Sequence, residues 1–470
     1  MSEESELKRE IGAFGAFSMG YADVGADIYI SLGLIALYAL QAAPIALLIA
    51  SITYITTGLS YAELASTYPV AGGAHYYAYK AFGKLNGFLA GWGLMLDYTV
   101  DIALFSLAAV GYLGFLVEAF WGSEIILMNP YYGVCAIALI LALIVLNIIG
   151  IKYSSRFNEV FVMFDLFTVG VLLLSGIVTL ILSGRAVTWF NSLSNIGDTP
   201  SWSGFAYAIT LSMASYIGIE SISQAAEETK NPKRIIPMAT KAAIISVLIV
   251  ALTASLLSVT LLDVSTIGSR AQDPMVALAS SIPYIGGLLS LWIGFMGFMI
   301  CYVSTNTGII GVSRVTFSMG RLNLSPQIFR KVHSRFRTPY VTIIIFPFIA
   351  IAIIVSNIFL SSLDLLELVA SLYNFGALIS YMYVNLALVV LHKESKGVGW
   401  RTPYVIRVPY HGKKTELPLV PIIGFISCFI IWVMMVITHE QGRLLGFAWF
   451  SLGAILYLVM HLKKRRRKNE

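Results

Sequence analysis

Seven carboxylates stand in stretches of the sequence that are otherwise apolar: Asp23, Asp27, Glu63, Asp97, Asp101, Asp165 and Glu220. A charged Asp at the centre of a bilayer costs about 2.5–3.5 kcal/mol on insertion scales. Lys and Arg sit at the ends of these stretches or in the loops between them, so no basic partner is at hand. Each acid therefore either holds a proton or neutralises a cation that is not part of the chain. Asp97 and Asp101 are four residues apart and share one helix face. Asp23 and Asp27 have the same spacing with Gly25 between them, and Tyr21–Asp27 is a poor helix interior. Ser215–Ser221 repeats the pattern, with Gly218 close to Glu220. Both stretches are expected to interrupt their helices, because broken spans free backbone groups to hold solutes and ions at mid-membrane. Glu63 and Asp101 also fit a plainer role, as protonated groups bonded between helices.

The surrounding sequence must supply the helices that hold these acids. Of 470 residues, 58% are hydrophobic and 12% are charged. A soluble domain carries about 25% charged residues, so an ordinary cytosolic enzyme is excluded. A bilayer core needs about 20 apolar residues per helix. Runs of that kind fall at 12–38, 41–65, 85–117, 131–150, 158–183, 204–225, 237–262, 284–317, 340–360, 366–391, 417–437 and 444–461. These predict an all-α polytopic membrane protein of about twelve transmembrane helices. Barrel strands would instead show roughly ten-residue alternation. Met1–Glu10 has no basic start, so no signal peptide is expected there.

With the N-terminus inside, the inner segments hold every Lys and Arg except Arg185, Arg270 and Arg443. That asymmetry predicts both termini on the cytoplasmic side of a cell membrane. The basic run Lys463–Lys468 acts as a topology anchor facing an anionic leaflet. The segment near 392–416, with Pro403 and Pro409, is expected to be a loop.

Other chemistries find little support. No phosphate-binding Gly-Lys loop is present, since Gly83-Lys84 and Gly412-Lys413 lack the following hydroxyl residue. Cys135, Cys301 and Cys428 are isolated in apolar runs, and the six His residues do not cluster. The sequence thus predicts no catalytic residue, metal site or cofactor, and the net charge of +6 does not suggest nucleic acid.

Three ordered motifs narrow the reading. They are Tyr61-Ala62-Glu63-Leu64-Ala65-Ser66-Thr67-Tyr68-Pro69-Val70-Ala71-Gly72-Gly73, then Glu227-Glu228-Thr229-Lys230-Asn231-Pro232, then Ser313-Arg314 with Met319-Gly320-Arg321 and Lys331 to Pro339. Together they resemble the amino acid–polyamine–organocation permeases. The resemblance implies a leucine-transporter-like 5+5 inverted repeat with two further C-terminal helices, and alternating access driven by an ion or by exchange. On it, 1–10 is a cytosolic tail, 11–183 the first repeat, 204–391 the second, 417–461 the last two helices and 462–470 a basic tail.

Two departures from the family pattern bear on the solute. Amino acid members hold the substrate carboxylate on a Gly-small-Gly break in the first helix. The matching stretch here is Gly25-Ala26-Asp27-Ile28-Tyr29, and Asp27 would repel a carboxylate. Several proton-coupled members carry a Lys in the fifth helix where this chain has Asp165. Ser304, Thr305 and Thr307 offer hydroxyls that suit a hard cation.

The expected function is a secondary active transporter of an amino acid, amine or polyamine-type cationic solute, coupled to protons, Na⁺ or exchange. Asp23, Gly25, Ala26, Asp27, Tyr29, Asp97, Tyr98, Asp101, Tyr216, Gly218 and Glu220 are the candidate solute site. Asp165, Ser304 and Thr305 are the candidate ion or proton site. Tyr29, Tyr98 and Tyr216 could close over a cation through their rings. One alternative is a potassium importer of the same superfamily. Another is a transport-inactive membrane sensor or scaffold.

Overall fold

A computed structural model describes residues 7, 9–194, 200–263, 266–267, 270, 273–359, 365–410 and 413–469. Nearly all of 1–10 and the side chains of 463–470 lie outside the described residues, so the two expected tails are not treated further.

The chain is helical almost throughout. In order it forms α1 (Ala13–Ala39), α2 (Ala43–Thr67), the short α3 (Ala74–Phe82), α4 (Lys84–Trp121), α5 (Tyr131–Ile149) and α6 (Ile151–Ser183). After α7 (Arg185–Ser194) come α8 (Trp202–Ala214), the single turn α9 (Ser221–Gln224), α10 (Pro232–Leu261), α11 (Pro274–Ser280) and α12 (Gly286–Arg321). The chain closes with α13 (Tyr340–Phe359), α14 (Leu365–Leu391), α15 (Leu419–Thr438) and α16 (Glu440–Asn469).

Among the described residues, nine helical stretches are long and apolar enough to cross a membrane. The first, Ala13–Thr67, is 55 residues long and holds two crossings. A single helix of that length would run about 80 Å at 1.5 Å per residue, far beyond a bilayer core of about 30 Å. A 3₁₀ turn at Leu40–Ala42, with Leu40 at φ 50°, folds α2 back from α1. The shorter α13 and the divided α8–α9 complete a twelve-span polytopic membrane protein.

Four pairs of spans pack together at the same separation along the chain. α1 lies on α8, α2 on α10, α4 on α12 and α5 on α13. Each pair joins a span to the one five crossings later. Small residues let these helices approach: a Cβ on Gly311 would lie 2.5 Å from the Tyr98 ring, and one on Gly294 would lie 2.6 Å from Phe115.

Two expectations are corrected. The segment near 392–416 is not wholly a loop. Val405–Tyr410 (β1) pairs antiparallel with Lys413–Pro418 (β2), with Arg407 opposite Glu416. A two-stranded hairpin tolerates Pro409 because each strand keeps one edge without ladder bonds.

The second correction matters more. α1 runs unbroken through Gly25, Ala26 and Asp27. Of the two stretches, only that of the sixth span is interrupted, between Ala214 and Ser221. Asp and Gly weaken a helix when Asp bonds its own backbone or Gly turns to positive φ. In α1 neither happens. Asp23 accepts hydrogen bonds from Ser221 and Ser304 on other elements, and no residue of α1 takes a positive φ. Inside a membrane an unpaired backbone group is costly, so the helix persists unless something else takes its bonds.

Candidate solute-binding site

The sixth span breaks at Gly218, whose φ is +118°. That conformation is open to glycine and strained for other residues. Its N–H donates to Glu220 Oε2 at 3.1 Å and to Tyr381 Oη at 3.2 Å. A Cβ on Gly218 would lie 2.5 Å from Asp23 Cβ and 2.7 Å from Asp23 Cγ. The break is thus pressed against the middle of α1, and the acids of two helices meet there.

Asp23 is the best-satisfied acid of the group. Ser221 donates to Oδ2 at 2.5 Å, and Ser304 of α12 donates to Oδ1 at 3.0 Å. Ser221 also lies 3.3 Å from the Tyr98 hydroxyl of α4. Glu220 accepts from Tyr381 of α14, and its carboxyl lies beside that of Asp97. The Tyr373 hydroxyl, also on α14, lies close to the Asp27 carboxyl. The Asp101 carboxyl lies against Gly308 of α12, where a Cβ would not fit.

Five carboxyls therefore converge: Asp23, Asp27, Asp97, Asp101 and Glu220. None is more than 3% exposed. Among the described residues, no donor reaches Asp27 Oδ2, either oxygen of Asp97, either oxygen of Asp101, or Glu220 Oε1. Among the described residues, none of the five acids forms an ion pair with Lys, Arg or His. Buried polar atoms nearly always have partners, so six orphaned carboxyl oxygens in one place mark a site built for something the chain does not supply. Around them stand Tyr216, stacked on Tyr54 at 5.0 Å, and Tyr61, edge-on to Tyr381 at 5.9 Å. The hydroxyls of Tyr54, Tyr61 and Tyr216 are also buried without partners.

Asp165, Ser304 and Thr305 do not form one group. Asp165 accepts from Tyr21 at 2.9 Å and from Tyr29 at 2.6 Å. Tyr29 is thereby turned to Asp165, and its ring packs edge-on to Tyr112. Ser304 serves Asp23, while Thr305 donates to Cys301 O of its own helix at 3.0 Å. Thr307 accepts from Asn158 at 2.9 Å. Among the described residues, no three His, Cys, Asp or Glu side chains converge on a metal geometry.

A family model described as amino acid permease matches residues 11–460. The chain belongs to the amino acid permease family. This permease is 26% identical to the branched-chain amino acid permease BcaP of Bacillus subtilis, over all of its own length and 96% of the relative. It is 28% identical to the low-affinity putrescine importer PlaP of Escherichia coli, over 90% of its own length and 86% of the relative. It is also 25% identical to a methylthioribose transporter of Bacillus subtilis, over 98% of its own length and 95% of the relative. It is a multi-pass membrane permease.

The permease closes one end of the bundle with ion pairs. Arg314 is fully buried and grips Glu228 through Nε at 3.0 Å and Nη2 at 3.2 Å. Arg321 grips Glu227 at 2.6 and 3.0 Å, and Glu227 also accepts from Ala71 N–H at 3.0 Å. Glu63 anchors the segment after α14, accepting from Ser395 at 2.5 Å and Thr402 N–H at 2.7 Å, with His392 Nδ1 at 2.7 Å. Glu63 thus serves the segment after α14 and stands apart from the other acids.

Sequence reasoning missed several members of the site. Tyr373 and Tyr381 are eight residues apart on an apolar helix, a spacing that places them on one side and could have been noticed. Ser221 carried no signal of its own. The amide network of Asn147, Asn158 and Asn306 was also missed. Asn147 donates to Asn306 Oδ1 at 2.7 Å, and Asn306 donates to Asn158 Oδ1 at 2.7 Å, so α5, α6 and α12 are tied together. Three Asn in apolar spans carry a cost unless their amides are hydrogen-bonded, and so call for the same search for partners.

Proposed function

We propose that the permease moves small cationic, amine-bearing solutes across the cell membrane by alternating access. Asp23, Asp27, Asp97, Asp101 and Glu220 balance the positive charge of the solute. The observation that carries this is the set of six orphaned carboxyl oxygens, with no ion pair to a basic residue among the described residues. The relatives' names range from branched-chain amino acids to putrescine, so the choice among solutes rests on the site. A substrate carboxylate would meet like charge here, whereas an ammonium group supplies the missing donors. The break at Gly218 places Glu220 and its own N–H beside the solute. Asp165 with Tyr21 and Tyr29 is a separate support behind the site.

On this reading the end closed by Arg314–Glu228 and Arg321–Glu227 faces the cytoplasm, as do both termini. The low exposure of the acids fits an occluded state between outward and inward openings.

The test is uptake by purified permease in lipid vesicles, comparing labelled arginine and putrescine with labelled leucine. Arginine or putrescine should be taken up, and Asp97→Asn and Asp27→Asn should each lower that uptake at least tenfold. Uptake of leucine alone, insensitive to both substitutions, would overturn the cationic reading.

A further inference from the structure

The same site says which way protons move. We propose that the permease exchanges its solute for protons, one proton for each positive charge carried, and does not co-transport them. This rests on the cationic reading above and asks what keeps the site neutral when the solute has left.

Every group that faces the acids must be considered. α1 brings Asp23 and Asp27; α4 brings Asp97, Tyr98 and Asp101. The break brings Glu220 and Ser221, α12 brings Cys301 and Ser304, and α14 brings Tyr373 and Tyr381. α2 brings Tyr54 and Tyr61 toward Glu220. All of these are acidic or neutral. Five buried carboxyls with no cation among them cannot all ionise, because each added charge meets both desolvation and repulsion. Asp97 and Glu220 lie side by side with no basic group between them, so both cannot carry charge unless a cation joins them.

The occluded, solute-free site is therefore a protonated one. An ammonium group needs the same oxygens in ionised form. Proton and solute thus compete for Asp97, Glu220, Asp27 and Asp101, and binding of one requires release of the other. The buried hydroxyls of Tyr54, Tyr61 and Tyr216 give an independent pointer to a ligand here, since each lacks a partner and none can balance charge. Competition for one set of acids is what converts two gradients into exchange. A solute of charge n enters from one side, n protons leave to the other, and no net charge crosses.

The experiment uses the full-length permease, purified in detergent in weakly buffered solution with a pH-indicating dye. Putrescine should release about two protons per molecule bound, arginine about one and leucine none. The apparent Kd of arginine should rise about tenfold for each unit of acidification, since one proton is displaced. In vesicles, an acidic interior should accelerate arginine uptake, and an imposed voltage should not. Arginine or putrescine bound without proton release, or with proton uptake, overturns the exchange while leaving the cationic reading intact. If neither amine binds, the cationic reading itself falls and the exchange falls with it. Glu220→Gln and Asp97→Asn provide a second reading, because each should lower the protons released per bound arginine or putrescine.

Discussion

Replacing Gly218 with Ala separates the break in the sixth span from the unbroken first span. Gly218 has φ +118°, and a new Cβ would lie 2.5 Å from Asp23 Cβ. The backbone strain alone costs roughly 1–3 kcal/mol. Carbon atoms settle at about 3.5–4.0 Å, so Asp23 or the break must move by roughly 1 Å. That movement disrupts the bonds from Ser221 at 2.5 Å and Ser304 at 3.0 Å. Each contributes about 0.5–1.5 kcal/mol as a neutral bond. The total is roughly 2–6 kcal/mol, directed at the solute site. Even the lower figure corresponds to about a thirtyfold loss of apparent affinity.

Gly25→Ala is the control. Its Cβ would meet the Tyr21 ring at 3.2 Å, a contact that a small ring shift relieves, and Ala favours a helix interior by about 1 kcal/mol over Gly. Uptake of labelled arginine or putrescine, beside thermal unfolding of each variant, is the assay. Gly218→Ala should lose uptake, and Gly25→Ala should keep most of it. Equal loss in both would mean that α1 must open at Gly25 during transport, and the argument for one break would be wrong.

Three further outcomes are expected. Arg314→Ala leaves Glu228 buried without its partner, which costs about 3–5 kcal/mol and should show as a large fall in unfolding temperature. Asn306→Ala strands the amides of Asn147 and Asn158 and should destabilise by roughly 2–4 kcal/mol, again read by thermal unfolding. His439 lies outside the spans, stacked on Tyr207 at 4.1 Å, and burial pushes its pKa down to about 4. The unfolded chain then binds a proton between about pH 6.5 and pH 4 that the folded chain refuses, so stability is lost as pH falls through that window. At 1.36 kcal/mol per unit, the loss is about 3 kcal/mol. Burial holds His75 down to about 4 in the same way. His439→Gln should therefore remove about half of the acid-side loss measured by unfolding at pH 7 and pH 5.

Much of this permease is legible in the order of its residues. Scarce charge and runs of about 20 apolar residues dictate a helical bundle in lipid, because a bilayer leaves no other partner for the backbone. The cost of an intramembrane acid singles out Asp23, Asp27, Glu63, Asp97, Asp101, Asp165 and Glu220 without any coordinates. What the sequence left equal was Gly25 against Gly218. Both are flanked by acids and hydroxyls, yet only Gly218 turns to positive φ, with its freed N–H taken by Glu220 and by Tyr381 from a helix more than 150 residues away. Likewise nothing local to Asp165 told that Tyr21 and Tyr29 would claim it, or that Ser304 would serve Asp23 instead. Composition and spacing determine which groups are costly in a membrane, since that cost belongs to each residue. Tertiary packing alone decides which costs are met inside the chain, since hydrogen-bond partners come from distant helices, and so which acids remain open for a solute.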